Sequence, residues 1–228
     1  MRVPNDIRVL VACEESQRVC TAFRARGFEA YSCDIVHCSG GHPEWHIQAD
    51  ALEIIKMRWD LIIAHPPCTF LSNAGACRLY PTAGHLDKER YAKGLEGKKF
   101  FLAMLNAPCD HVAVENPVPS RIFKLPEPSQ IIQPYEFGDP YTKKTYLWLR
   151  GLPQLQPTNI VKPIAPWCPS GTSRKIPSKY GAAIRGEDKK ERSKTFQGIA
   201  EAMAEQWGDA LMSGTYTEQI SLFEEVLS

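Results

Sequence analysis

The sequence predicts an α/β fold in which helices cover both faces of a mostly parallel sheet. Short apolar runs alternate with longer amphipathic runs over the first two-thirds of the chain, and no internal repeat interrupts them. This alternation is typical of parallel sheets because the connection between two parallel strands is usually a helix.

Each predicted element has a local signal. Ser16 is a predicted N-cap and Gly27 a predicted stop for the first helix. The strand WDLIIA ends at His65-Pro66-Pro67, and a later buried strand ends at Asn116-Pro117. The predicted strands are residues 7–12, 28–33, 59–64, 111–114 and 145–149, with a short strand ending at Asp50. The predicted helices are residues 16–26, 51–57, 88–106 and 195–207.

Composition excludes several classes of protein. The chain has 228 residues, 43% of them hydrophobic, which suits one domain with a real core and excludes a disordered chain. The 27 Lys and Arg balance 26 Asp and Glu, which excludes a histone-like polycation. No apolar run reaches the roughly 20 residues of a membrane helix, and the N-terminus lacks a secretory signal. The eight cysteines form no CxxC pair, so we expect reduced thiols and a cytoplasmic protein without a membrane partner.

The composition and the pattern of the sequence predict four segments. Residues 1–153 form the predicted catalytic core, and residues 154–192 form a small, proline-rich insert. Residues 193–208 supply a closing helix, and residues 209–228 form a tail.

Two motifs that follow predicted strands carry the chemistry. Pro66-Pro67-Cys68 follows one strand, and Glu115-Asn116-Pro117 follows another. The carboxyl ends of parallel strands form one edge, where ligands bind in such sheets. A thiol beside a carboxyl group is a coherent pair for covalent catalysis. The alternative is that Cys68 packs as a small apolar residue and Glu115 caps a turn.

The sequence resembles the DNA cytosine-5 methyltransferases, especially their compact phage and prophage forms. The resemblance is carried by these two motifs, by the run KKTYLWLRGLP and by the closing run RSKTFQGIAEAMAEQW. The resemblance covers roughly residues 7–208. It implies a Rossmann-like class I methyltransferase fold that binds S-adenosylmethionine and transfers a methyl group to C5 of cytosine in DNA.

The resemblance also implies roles for individual residues. Cys68 would attack C6 of cytosine, and Glu115 would serve N3, a role for which we expect burial to raise its pKa. Asn116 would hold the loop, and the backbone of Pro67 would contact the base. Ser72 and Thr145 are the expected substrate-binding residues nearby.

The expected cofactor site follows the first strand. Residues 11–16 read VACEES and lack the glycines that relatives carry there, which leaves cofactor affinity open. Asp34 is positioned for the ribose hydroxyls and Asp50 for the adenine amino group, or either is a helix N-cap. The expected cofactor-binding residues are Cys13, Glu14, Asp34, Asp50 and Pro66.

Two further segments suggest binding to macromolecules. The insert carries a basic stretch that suits phosphate contacts or is a solvated loop; its expected DNA-binding residues are Arg174, Lys175, Lys189, Lys190 and Arg192. Gln219-Ile220-Ser221-Leu222-Phe223 resembles the bacterial sliding-clamp-binding pentapeptide, with Gln219, Leu222 and Phe223 as the expected contacts. The alternative for this tail is a helix packed on the core.

Other interpretations of the site stay open. Cys33, Cys38, His42 and His46 have the ligand types of a zinc site, or they are polar loop residues; we expect no metal. The same chemistry could act on RNA or a free cytosine nucleotide. The chain could also be a DNA-binding decoy that kept the fold and lost its cofactor.

Overall fold

A seven-stranded sheet forms the centre of the computed structural model, which describes residues 2–76, 78–82, 84–167 and 193–214. The spatial order of its strands is β3-β2-β1-β4-β5-β8-β6. These strands are β1 (Arg8–Ala12), β2 (Glu29–Asp34), β3 (His46–Gln48), β4 (Leu61–Ala64), β5 (Val112–Pro117), β6 (Gln130–Ile132) and β8 (Thr145–Arg150). A small second sheet pairs β7 (Tyr141–Thr142) with β9 (Ala165–Pro166).

The direction of the strands defines the fold class. Strands β1 to β5 pair in parallel, and only β8 runs antiparallel, between β5 and β6. The order reverses between β1 and β4, which is the topological switch point of the sheet. One antiparallel strand next to the edge of an otherwise parallel sheet is the arrangement of class I methyltransferases. The predicted fold class is therefore confirmed.

Helices cover both faces of the sheet, and alternate side chains of the central strands pack against them. Val9 and Val11 contact the layer of α1 (Arg18–Ala25) and the C-terminal helix. Leu10 and Ala12 contact the layer of α2 (Ala51–Ile54) and α4 (Lys88–Leu105). Because both faces of β1 are buried, its sequence is continuously apolar from Val9 onward. The remaining short helix, α3 (Asn73–Ala76), follows the Cys68 turn.

The start of α1 differs from the prediction. The N-cap is Gln17, in a left-handed conformation with φ +58°, and its side chain makes no capping hydrogen bond. The carboxylate of Glu14 takes that role, because it accepts the amides of Val19 at 2.7 Å and Cys20 at 3.2 Å. The prediction that Ser16 caps this helix is wrong.

The closing helix is longer than predicted. It consists of α5 (Gln197–Ala202), a π-helical turn (Met203–Trp207) and α6 (Gly208–Ser213), so it continues past the predicted end at residue 208. Gly214 ends it at φ +70°. Within the described ranges, no helix is both long enough and apolar enough to cross a membrane.

Candidate active site

The residues that follow the central strands meet at the carboxyl edge of the sheet. Ala12 at the end of β1 pairs with Cys33 on one side and with Ala64 on the other. Ala64 in turn pairs with Val114 of β5. The next residue on each strand therefore lies along one line, in the order Asp34, Cys13, His65, Glu115. This line crosses the topological switch point, where open α/β sheets bind ligands.

The Cys68 turn is joined to the segment after Glu115 by backbone hydrogen bonds. The amide of Asn73 donates to the carbonyl of Val118 at 2.9 Å, and the amide of Ser120 donates to the carbonyl of Leu71 at 2.7 Å. Ser72 and Pro119 form an isolated antiparallel bridge between these bonds. The structure thus brings the two motifs together through main-chain pairing, which fixes the Cys68 turn beside the end of β5.

The backbone of the Cys68 turn is held from several directions. The carbonyl of Cys68 accepts the amides of Leu71 at 3.2 Å and Ser72 at 3.0 Å. Pro66 is buried, whereas Pro67 is exposed and Cys68 is half-buried. The buried hydroxyl of Ser72 accepts the amide of Gly75 at 3.3 Å and so starts α3. The predicted substrate contact of Ser72 stays a prediction, beside this structural role.

Arg90 of α4 supports the same turn from behind. Its guanidinium donates to the carbonyl of Gly75 at 3.0 Å and to the carbonyl of Thr69 at 3.4 Å. It also lies 4.9 Å from the ring centre of Phe70. No local sequence pattern predicts this role, because an arginine on a helix is usually exposed to solvent.

Glu115 lies in a buried, polar environment that lowers its pKa. Burial by itself raises the pKa of this carboxyl, but a hydrogen bond from His65 and the charges of His65 and Lys143 outweigh it. Nδ1 of His65 lies 3.4 Å from Oε2 of Glu115. The expectation that burial leaves Glu115 with a raised pKa is wrong, because the interactions with His65 and Lys143 favour the carboxylate.

His65 and Lys143 are site residues that the sequence analysis missed. His65 directly follows β4, but its partner Glu115 is 50 positions away, so no local pattern reveals the pair. Lys143 lies in the run KKTYLWL, and its Nζ lies 5.7 Å from the ring centre of Phe196. The sequence feature that could have identified Lys143 is its place in this run, which is one of the segments that carry the family resemblance.

Asn116 and Thr145 lie at the same edge. Pro117 pairs with Thr145, whose hydroxyl donates to the carbonyl of Lys143 at 3.1 Å. Asn116 is fully buried, and neither Nδ2 nor Oδ1 has a hydrogen-bond partner among the described residues. The expected roles of Asn116 in the loop and of Thr145 toward substrate stay predictions.

The turn after β1 adopts left-handed backbone without glycine. Cys13 has φ +60° and Gln17 has φ +58°, a conformation that costs a non-glycine residue about 1 kcal/mol or more. The side chain of Gln17 offsets this strain because it bonds both the amide and the carbonyl of His42, at 3.0 Å and 2.7 Å. Specific pairing with the loop before β3 therefore replaces the flexibility of glycine.

Asp34 and Asp50 both lie near Cys13. Burial raises the pKa of the Cys13 thiol, and the charges of Asp34 and Asp50 raise it further. Asp34 accepts the amide of Val36 at 3.2 Å, and Asp50 accepts the amide of Leu52 at 2.9 Å as the N-cap of α2. Asp50 is thus the helix cap that the sequence analysis kept as an alternative.

These residues fit S-adenosylmethionine on the ribose and adenine side. The carboxylate of Asp34 ends β2 and suits a ribose diol, and Ile35 beside it is 72% exposed, which suits an apolar ring. The carboxylate of Glu14 already accepts two backbone amides within the protein. The expected cofactor contacts of Glu14 and Pro66 stay predictions.

The four possible zinc ligands do not converge. His46 uses both ring nitrogens within the protein, toward Ser32 Oγ and the carbonyl of Val36. The ring of His42 stacks on Trp45 at 3.8 Å, and Cys33 donates to the carbonyl of Ala49. No group of three or more potential ligands able to hold a metal occurs in the part of the chain that the structure describes.

Several expected binding residues lie outside the described residues. They are Arg174, Lys175, Lys189, Lys190 and Arg192 of the basic stretch, and Gln219, Leu222 and Phe223 of the tail.

Comparison with known proteins assigns no family to this chain. No protein-family model and no curated protein matches this sequence. Among solved structures, the chain is similar to the Entamoeba histolytica methyltransferase EhMeth, at 16% identity and a TM-score of 0.43. The similarity covers 68% of this chain and 57% of that chain. The order and directions of the strands define the class by themselves: the chain has the class I methyltransferase fold.

Proposed function

We propose that this protein transfers a methyl group from S-adenosylmethionine to C5 of cytosine in DNA. The observation that carries the proposal is the main-chain pairing of residues 71–73 with residues 118–120. It holds the turn that carries Cys68 beside the strand end that carries the half-buried carboxylate of Glu115, at the edge where this fold class binds its ligands.

The chemistry requires a nucleophile because C5 of cytosine does not react directly with a methyl donor. The Cys68 thiolate forms a bond to C6, and the electron pair of the C5–C6 double bond moves toward N3, so that C5 gains enamine character. S-adenosylmethionine, when bound, supplies an electrophilic methyl group. Solvent water then takes the C5 proton, the electron pair of that C–H bond re-forms the C5–C6 double bond, and the bond between C6 and Cys68 breaks to release the thiolate.

Glu115 serves N3 while the adduct forms. A proton delivered to N3 neutralises the charge that the attack of Cys68 produces there. Because Glu115 is a carboxylate in the free protein, it must gain this proton before it can donate it. Lys143, whose charge reaches Glu115, would stabilise negative charge at the same place.

Asp34 and the turn after β1 would hold the cofactor. The carboxylate of Asp34 would accept hydrogen bonds from the ribose hydroxyls, and Ile35 would provide an apolar surface for the adenine ring. The target base must leave the duplex to reach Cys68, so DNA has to lie across this edge of the sheet.

DNA contacts by the basic stretch and sliding-clamp binding by Gln219, Leu222 and Phe223 are further proposals that rest on sequence. Each phosphate contact would release counterions and steepen the salt dependence of DNA binding. Clamp binding would raise the local concentration of the enzyme at newly replicated DNA.

The direct test is transfer of labelled methyl from S-adenosylmethionine to duplex DNA, single-stranded DNA, RNA and dCMP in parallel. We expect label at C5 of cytosine in DNA. Label in RNA or dCMP alone would assign the other substrates. Cofactor binding without transfer to any of the four would contradict the proposed reaction, and DNA binding without cofactor binding would identify the decoy.

A further inference from the structure

A basic turn borders the candidate active site on the side of α4. The turn is a short 3₁₀ helix, Arg121–Phe123, and the buried hydroxyl of Ser120 begins it by accepting the amide of Ile122 at 3.3 Å. The amide of Ser120 belongs to the main-chain pairing that holds the Cys68 turn. Arg121 is the first residue beyond that pairing, so the basic turn lies at the rim of the site.

The basic turn is docked on α4 through one aromatic ring. The ring of Phe123 is buried and stacks on Tyr91, with ring centres 5.8 Å apart, and a Cβ at Gly94 would overlap it. The turn ends at Lys124, which has a left-handed conformation with φ +47°. Nζ of Lys98 supports this end because it donates to the carbonyl of Lys124 at 3.1 Å. The backbone of the turn is thus fixed before any ligand binds.

Two exposed cations stand at the ends of the basic turn. The amide of Lys124 donates to the carbonyl of Arg121 at 3.3 Å, and the Cα atoms at the two ends of such a turn lie within about 7 Å of each other. Within the described ranges, neither side chain forms an ion pair. The acid nearest to Lys124 in the sequence is Glu127, and it pairs with neither cation there. The positive charge of the turn is therefore not neutralised by these residues.

Apolar side chains complete the surface. Ile122 is 39% exposed between the two cations, and Leu95 of α4 is 41% exposed. Leu95 neighbours Tyr91 and Lys98 on α4, because residues three and four apart lie together on a helix. We call this surface the α4 rim, and its members are Leu95, Lys98, Arg121, Ile122 and Lys124. Unneutralised cations beside apolar side chains suit the phosphates and sugars of a nucleic acid strand better than an ordinary protein surface.

We propose that the α4 rim binds the sugar–phosphate backbone of DNA beside the target cytosine, with Arg121 and Lys124 on two phosphates. This inference rests on the proposed function and assigns it a DNA-binding surface outside the basic stretch. The Arg121 guanidinium can hold a phosphate with two parallel hydrogen bonds, and the Lys124 ammonium acts as a point charge. Because Ser120 joins the rim to the Cys68 turn, a strand bound there runs past the nucleophile.

The test is a titration of a fluorescent duplex oligonucleotide over a range of salt concentrations. Arg121→Gln/Lys124→Gln should raise Kd about tenfold or more at about 50 mM salt and reduce the salt slope of log Kd by about two, because each phosphate contact contributes close to one. In methyl-transfer assays, KM for DNA should rise while kcat changes less than about threefold. Lys98 stays in place because it supports the backbone of the turn.

Two control variants separate phosphate binding from loss of charge and from loss of structure. Lys56→Gln/Lys93→Gln removes the same charge from two exposed lysines that pair with Glu53 and Glu89. Arg121→Lys/Lys124→Arg keeps both charges on the turn. We expect the wild-type salt slope in both controls.

Equal salt slopes in Arg121→Gln/Lys124→Gln and in Lys56→Gln/Lys93→Gln would overturn the rim, whatever the activity of the wild type. Binding of RNA but not of DNA would overturn DNA as the occupant. A dimer in sedimentation that the Gln variant dissociates, with its DNA affinity unchanged, would overturn it in favour of a second copy. A wild type that binds DNA through the rim and transfers no methyl group would support the rim and contradict the proposed function.

Discussion

The carboxylate of Glu14 accepts a hydrogen bond from the backbone amide of Val19 at 2.7 Å. Glu14 is only 4% exposed, so this hydrogen bond is shielded from solvent. This bond connects the turn after β1 to the first turn of α1. It allows a turn without glycine to keep a fixed shape beside Asp34, at the expected cofactor site.

We predict that Glu14→Gln destabilises the fold by about 1–3 kcal/mol, because an amide has one acceptor oxygen and leaves the amide of Val19 or Cys20 without a partner. Burial raises the pKa of Glu14, so the folded state holds this proton more tightly than the unfolded chain. The stability of the wild type therefore declines as pH rises toward the raised pKa, a pH dependence that the uncharged side chain of Glu14→Gln lacks. Denaturant unfolding across pH measures it, and equal stabilities would contradict the cap.

Gly75 tests whether the position of the Cys68 turn matters for catalysis. A Cβ at residue 75 would overlap the carbonyl oxygen of Thr69, so Gly75→Ala must displace the turn. A shift of about 1 Å in a reacting group costs on the order of 100-fold in rate. The matched control is Gly97→Ala, where the nearest atom to a new Cβ is Leu71 Cγ at 3.5 Å. Equal kcat in both variants would show that the turn tolerates displacement.

Asp34→Ala should weaken binding of S-adenosylmethionine by about 1.5–3 kcal/mol, the contribution of a hydrogen bond to a charged group. Asp34→Asn keeps an oxygen that can accept from Val36, so it should preserve the local turn and lose less affinity. Calorimetric titration of the three proteins compares them. Equal affinities would remove Asp34 from the cofactor site.

Glu115→Gln should lower kcat about 10²- to 10⁴-fold, the usual range for general acid–base catalysis, while DNA affinity changes little. The glutamine amide can still accept from His65, but it cannot relay a proton to N3. Single-turnover kinetics together with a DNA-binding titration separate the two effects. A parallel loss of binding and rate would assign Glu115 to structure instead.

The sequence predicted the buried strands well because strands covered on both faces are continuously apolar, as in residues 61–64. It missed β6, since three residues, QII, carry no periodicity. It placed Cys68 and Glu115 on one edge, but it did not reveal His65 as a partner of Glu115 or the cap formed by Glu14. Those contacts depend on strand register and on the path of a turn, neither of which leaves a local pattern.

The most direct test of the account is covalent capture of Cys68 on duplex DNA containing 5-fluorocytosine, with S-adenosylmethionine present. Fluorine at C5 leaves no proton to remove, so the bond between Cys68 and C6 cannot break and the complex should survive denaturation. We expect an adduct that peptide mass spectrometry assigns to Cys68, formed equally by the control Cys38→Ser and absent in Cys68→Ser. The absence of an adduct in the wild type, together with normal methylation by Cys68→Ser, would contradict the proposed mechanism.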